Sequence, residues 1–186
     1  MKLLIMGPPG VGKGTQATLL KDQLKIVHLS TGDILRSEIK KKSSIGLKAK
    51  SYMDAGKLVP DQVLLDIIND RIKERDCIEG YLLDGFPRTL NQAIGLDNIM
   101  SSIHHSLDSA ISLVADSDEL VQRLIKRGID SGRSDDTDEV IRNRQKIYWE
   151  ETAPLLDYYK EKNILKEVNG IGDIKQITKR ILEKLK

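Results

Sequence analysis

Residues Gly7–Thr15 read GPPGVGKGT, a glycine-rich stretch entered from a short apolar run, Leu3–Met6, and left through a helical pattern that begins near Lys13. A strand, a glycine-rich turn and a helix in that order form a cradle in which backbone amides surround phosphate oxygens. Pro8 and Pro9 have no amide hydrogen. The donors are therefore the amides of Gly10, Val11, Gly12, Lys13, Gly14 and Thr15, aided by the positive end of the following helix, and Lys13 adds a mobile full charge. A Gly-Pro turn would explain isolated glycines but not this density followed by lysine, so the stretch predicts nucleotide binding. One position departs from the usual G-x-x-x-x-G-K-[ST] pattern. Gly14 stands where a hydroxyl would hold Mg²⁺, and the hydroxyl arrives one place later, at Thr15.

Outward from the loop, strand-like runs recur at Leu3–Met6, Ile26–Leu29, Tyr81–Leu83, Ala110–Val114 and Ile164–Val168, each separated by enough chain for a helix. That alternation predicts an α/β fold of the P-loop NTPase type, a parallel five-stranded sheet flanked by helices. Ile174, Ile177, Ile181, Leu182 and Leu185 fall on one face of a final helix that should cover the sheet. Between Ser30 and Val59 the pattern reads helix, turn, helix, with Gly46 and Gly56 as punctuation, and predicts a small helical flap. Lys126–Asp136, KRGIDSGRSDD, is polar and reads as an exposed loop able to close over a site.

At 186 residues the chain suits one domain. Its 30 basic and 28 acidic side chains leave a net charge of +2, too small for a global field toward nucleic acid or membrane. The lysines at 40–42, 48 and 50 read as a solvated helix face, because no aromatic residues interleave for base stacking. The single cysteine, Cys77, excludes an internal disulfide and a cysteine-rich zinc site, fits a cytoplasmic location and predicts a buried, inert thiol. The run in MKLLIM stops at Gly7, short of the ~7 to 15 apolar residues of a signal peptide, and no run approaches the ~20 that cross a bilayer. His28, His104 and His105 show no metal-ligand spacing and are expected to be structural or exposed.

A second constellation lies in YLLDGFPRTLNQ, Tyr81–Gln92. It places Asp84 at the end of an apolar strand, where a carboxylate can reach a metal directly or through water; with no hydroxyl at Gly14, Mg²⁺ held by nucleotide phosphates and by Asp84 through water is the expectation. The bland alternative is a turn-forming Asp-Gly pair. Thr89–Gln92 also has the T-x-x-Q spacing of a capping box. Arg123 and Arg127 lie four apart, on one helix face, so they can converge on one anion.

Together GPPGVGKGTQ, STGDILR, DAGKLVPD, LLDGFPRTLNQA and GRSDD with the later Arg144 resemble adenylate kinase, in that family's order and over essentially the whole chain. The short lid has none of the four zinc-ligand positions of some longer relatives, so the chain is similar to the zinc-free form. The resemblance implies reversible transfer of the γ-phosphoryl group of ATP to AMP, giving two ADP, in a cytoplasmic monomer that serves nucleotide biosynthesis and adenine nucleotide homeostasis. It implies a core of residues 1–29, 60–126 and 134–186, a monophosphate-binding insertion at 30–59 and a short lid at 127–133. By motif, Thr31, Arg36, Lys57, Leu58, Val59, Gly85, Phe86, Pro87, Arg88 and Gln92 would contact AMP, with Met53 lining the adenine slot. Lys13, Arg88, Arg123, Arg127, Arg133 and Arg144 would act on the phosphates in catalysis, Arg133 and Arg144 also holding AMP and Arg127 also holding ATP. Gly172 aligns with a backbone contact to the ATP adenine, or else is a turn before the last helix.

The same resemblance explains the absence of a catalytic base. A nucleoside monophosphate, with its second pKa near about 6, is largely a dianion at neutral pH and has no proton to lose on attack. Positioning, exclusion of water and arginine charge are what remain to be supplied. The sister UMP/CMP kinases share the loop and the DGFPR stretch and form the nearest alternative. A GTP-hydrolysing switch lacks support because no N-K-x-D stretch is present.

Overall fold

The computed structural model describes residues 1–115, 120–125 and 137–186. Among them the apolar runs form β1 (Lys2–Met6), β2 (Val27–Ser30), β3 (Tyr81–Asp84), β4 (Ser109–Val114) and β5 (Leu165–Asn169), each end within one residue of the sequence expectation. They make one five-stranded sheet in the order β2-β3-β1-β4-β5, parallel at every pairing. From β1 the chain passes to the edge strand β2, returns to β3 between them, and then crosses to β4 and β5 on the other side of β1. The carboxyl end of β1 therefore sits at the point where the winding reverses, the place where open α/β sheets leave a crevice.

Helices cover both faces of the sheet. They are α1 (Lys13–Leu24), α2 (Thr31–Lys40), α3 (Ser44–Asp54), α4 (Asp61–Arg71), α5 (Leu90–Ser102), the helical residues 120–125 (α6), α7 (Asp138–Ile147), α8 (Leu155–Glu161) and α9 (Ile174–Lys184). The period-2 alternation of the strands sorts their side chains. Leu4, Met6 and Leu83 pack with Leu64, Ile68, Leu96 and Tyr159 on one face; Leu3, Ile5 and Leu82 pack with Leu20, Ile177 and Ile181 on the other. Each such fully buried leucine contributes roughly 1.5–3 kcal/mol relative to exposure.

Two sequence expectations shift. Ile174 is half exposed rather than covering the sheet, because it is the first residue of α9, directly after its cap Asp173; Ile177 and Ile181 carry the buried face. Gly46 is not punctuation between helices but lies inside α3. A Cβ there would stand 2.2 Å from the Glu38 carbonyl oxygen, so glycine is what lets α3 close against the end of α2. Ser43 starts that helix by accepting the Gly46 N–H at 3.0 Å.

Cys77 is fully buried, as expected, and burial raises its thiol pKa to about 11. The lysines at 40–42, 48 and 50 are exposed. Among the described residues no helix is long and apolar enough to cross a membrane.

Candidate active site

The loop after β1 is held from beneath. Val11 is buried in the core cluster that includes Leu3, Ile5 and Leu20, and its N–H donates to the Pro8 carbonyl at 3.3 Å. Gly10, at φ +89°, passes so close to the chain at Leu120 that a Cβ would lie 2.7 Å from its carbonyl oxygen. Gly12 caps α1 in the left-handed region, at φ +98°, and a Cβ there would meet nothing within 4 Å. That open side faces the crevice and lets a ligand approach the first amides of α1. The Lys13 ammonium folds back over the loop and donates to the carbonyls of Gly7 at 2.7 Å and Pro8 at 3.0 Å.

A cavity of about 610 Å³ opens between this loop and the chain after β2 and β3. Gly10, Gly12, Lys13, Gly14 and Thr15 of the loop line it. Thr31, Arg36, Met53, Lys57, Leu58 and Val59, from the chain after β2, and Gly85, Phe86, Pro87 and Arg88, from the chain after β3, line it as well. Arg123 and Arg144 reach the same space. Among the described lining residues, six lysines and arginines (Lys13, Arg36, Lys57, Arg88, Arg123 and Arg144) face two carboxylates, Asp33 and Asp84. Such a balance suits a polyanion whose phosphates lie in the cavity.

The part of the lining that follows β2 and β3 is tied together by side-chain bonds. Ser30 caps α2 by accepting the Asp33 N–H, and Arg36 pairs with Asp33 at 2.5 Å. Thr31 Oγ1 donates to the Gly85 carbonyl at 2.9 Å, and Arg88 Nε donates to the same oxygen at 2.7 Å. Gly85 has φ +79°, and a Cβ on it would stand 3.0 Å from both Thr31 Oγ1 and Arg88 Nη2. Glycine is thus required there for the threonine and the arginine to meet over one carbonyl.

Gln92 is engaged by neighbours on two elements. Thr89 caps α5 through the Gln92 N–H at 3.1 Å, which is half of a capping box. The reciprocal bond moves back one residue: Gln92 Oε1 accepts from the Arg88 N–H at 2.7 Å, while its Nε2 donates to Asp61 Oδ1 at 2.7 Å. The side chain is fully buried and is not among the cavity-lining residues. Val11 and Gly172 do not line the cavity either. Gly172, at φ +116°, belongs to the turn that Arg180 fastens by donating to the carbonyls of Asn169 and Ile171. Arg127 and Arg133, and the expected lid they belong to, lie outside the described residues.

Sequence reading missed His28. Its Nε2 lies 3.2 Å from Asp84 Oδ2 and both residues line the cavity, so the histidine orients the carboxylate at the end of β3. Nothing in its spacing announced this, because the partner is 56 residues away. The same carboxylate oxygen faces position 14: an ideal Cβ on Gly14 would sit 3.7 Å from Asp84 Oδ2, an ordinary contact distance, and would meet nothing else within 4 Å, so the carboxylate has open space on that side. Among the described residues no group of three or more histidine, cysteine, aspartate or glutamate side chains could hold a metal.

Known proteins resemble the chain over essentially its whole length. A family model described as adenylate kinase matches residues 5–164. An adenylate kinase of Leptospira biflexa serovar Patoc is 50% identical over 184 residues, which is 99% of each chain. Adenylate kinases of Bifidobacterium longum and of a Nocardioides species are 48% and 47% identical, each over 185 residues and 100% of this chain, covering 100% and 97% of their own lengths.

Proposed function

Since the chain belongs to the adenylate kinase family, a family of phosphotransferases, we propose that it moves the γ-phosphoryl group of Mg-ATP reversibly to AMP across the cavity described above, giving two ADP. The observation that supports this placement is that the glycine-rich loop and the arginines Arg36 and Arg88, from separate segments of the chain, line one cavity. The amides of residues 10–15 hold the donor phosphates, and Lys13 exchanges its carbonyl partners for phosphate oxygens. Arg36 and Arg88 hold the AMP phosphate, while Arg123 and Arg144, with Arg127 and Arg133 of the lid, surround the transferred group. Thr31, Met53, Lys57, Leu58, Val59, Gly85, Phe86 and Pro87 shape the rest of the AMP pocket, with Gln92 behind it. Gly172 stands as the candidate contact for the ATP adenine.

Asp84 would anchor Mg²⁺ through water. One carboxylate beside a cleared space suits a small cation that keeps most of its waters and takes phosphate oxygens for the rest. When bound, Mg²⁺ neutralises charge on the phosphates. The protein's own part is to hold donor and acceptor in line, exclude water and supply fixed positive charge; no side chain needs to take a proton from a dianionic acceptor. The division into a core (1–29, 60–126, 134–186), an insertion (30–59) and a short lid (127–133), the monomeric state, the cytoplasmic location and a zinc-free lid belong to the same proposal. Lid closure over bound nucleotides is a known property of adenylate kinases.

The test is ADP formation from Mg-ATP with AMP, UMP or CMP in parallel, together with ATP hydrolysis when no monophosphate is added. Strong preference for AMP and slow hydrolysis without it are expected. A pyrimidine monophosphate turning over faster than AMP, or hydrolysis as fast as transfer, would overturn the reading.

A further inference from the structure

Beside the cavity, α7 runs directly into a π-helical turn, Tyr148–Thr152, closed by the Ala153 N–H donating to the Tyr148 carbonyl at 2.8 Å. Pro154 gives the cause: it has no N–H for the Glu150 carbonyl, and its ring would crowd that carbonyl in a regular α-turn, so the widened turn makes room. This segment ties down three separate loops through side chains that donate to backbone carbonyls. Asn143 Nδ2 donates to Ala55 O at 2.8 Å, Gln145 Nε2 to Pro9 O at 3.0 Å and Thr152 Oγ1 to Arg88 O at 2.9 Å. The partners are 88, 136 and 64 residues away in the chain, and two of them, Pro9 and Arg88, line the cavity.

The bond from Thr152 has a particular effect. Arg88 already gives its backbone N–H to Gln92 and its Nε to the Gly85 carbonyl. Thr152, 7% exposed and itself on the cavity wall, takes up the remaining backbone group of the same residue. Gln145, about two turns earlier on the same continuous helix, holds the donor loop at Pro9, beside the glycines that would cradle the donor phosphates.

We propose that Gln145 and Thr152 are positioning residues: from one helical segment they set the separation between the donor loop and the acceptor arginine Arg88, and so the in-line distance for transfer. This rests on the assignment of the cavity to phosphoryl transfer between ATP and AMP. Neither side chain is asked to touch the reacting atoms. Holding the reactants in line is where a small displacement is costly, with misplacement by about 1 Å lowering rate up to about 100-fold.

The test is steady-state kinetics and nucleotide binding of the wild type, Thr152→Val, Thr152→Ser, Gln145→Met and the Val/Met double variant, with melting midpoints measured alongside. Valine and methionine keep the volume and remove the donor; serine keeps the hydroxyl. Thr152→Val and Gln145→Met should each lower kcat about tenfold with much smaller changes in KM for ATP and AMP, and should raise the ratio of ATP hydrolysed to ADP formed by transfer. Thr152→Ser should retain most of the wild-type kcat. The double variant should lose less than the product of the two single losses, because both act on one distance. Unchanged kcat in both single variants, an equal loss in the serine variant, fully multiplicative losses, or losses that track the fraction of unfolded protein would each overturn the proposal. A wild type that fails to phosphorylate AMP would instead overturn the transfer reading on which it rests, and the two failures are told apart by that first measurement.

Discussion

Lys13 shows how a single side chain is prepared for a ligand. Its ammonium satisfies itself on the carbonyls of Gly7 and Pro8, partners that a phosphate oxygen, carrying a full charge, outcompetes. Lys13→Ala should therefore leave the melting midpoint nearly unchanged and lower kcat/KM by about 100- to 1,000-fold, the scale seen when one fixed stabilising donor is removed; a variant with near-normal turnover would show that the loop binds something other than the transferred phosphates. Cys77 illustrates the opposite case, a reactive residue type made inert. Its thiol is fully buried and its pKa is raised to about 11, first by burial, so at pH 8 the thiol form dominates in the folded protein. Alkylation of native protein should be slow and should reach the free-thiol rate only in denaturant. Rapid native labelling at pH 8 would contradict that placement.

At the scale of elements, the contact between α2 and α3 depends on one missing methyl group. Gly46 brings α3 to the end of α2, where an added Cβ would overlap the Glu38 carbonyl oxygen and lie 2.5 Å from the Ile39 nitrogen. Gly46→Ala gains helix propensity and loses this approach. The steric term wins, because the obstructing atoms are backbone and cannot rotate away. A net loss of about 1–3 kcal/mol is expected in denaturant unfolding, together with a raised KM for AMP, because α2 carries Thr31 and Arg36 on the acceptor wall. A stabilised variant would mean that the two helices separate freely in solution. The junction of α7 with the π-helical turn belongs to the same scale: a proline two residues past Thr152 sets the backbone that delivers a hydroxyl to Arg88.

For the whole molecule, the sheet places the glycine-rich loop at the switch point and the segments after β2 and β3 on the same side of it, so residues of all three line one cavity, in which the proposed function places both nucleotides. Binding to the folded state raises its stability by mass action, by about 2.7 kcal/mol at a free ligand concentration one hundred times Kd. Mg-ATP analogue resistant to transfer and AMP, added together, should raise the melting midpoint more than either alone, and Arg88→Ala should abolish the increment from AMP while keeping that from the ATP analogue. An unaltered AMP increment in that variant would place the acceptor phosphate elsewhere. The family membership bears on the reaction class; this experiment bears on which wall holds which nucleotide.

Strand alternation, the glycine-rich loop and the DGFPR stretch were enough to read the parallel sheet, the turn between its first strand and helix, and many of the residues that line the cavity from the amino-acid order, because each depends on residues that are neighbours in the chain. Tertiary structure decided what depends on partners far apart. His28 meets Asp84 only because β2 and β3 lie side by side, and Gln92 is occupied by Arg88 and Asp61 only because α4 and α5 pack together. Gly46 looks like a helix breaker until the Glu38 carbonyl is seen beside it, and Gln145 and Thr152 look like surface polar residues until Pro9 and Arg88 are found within hydrogen-bond reach. Local propensity and periodicity are carried by the sequence itself; the pairing of a side chain with a distant backbone carbonyl exists only once the chain has folded.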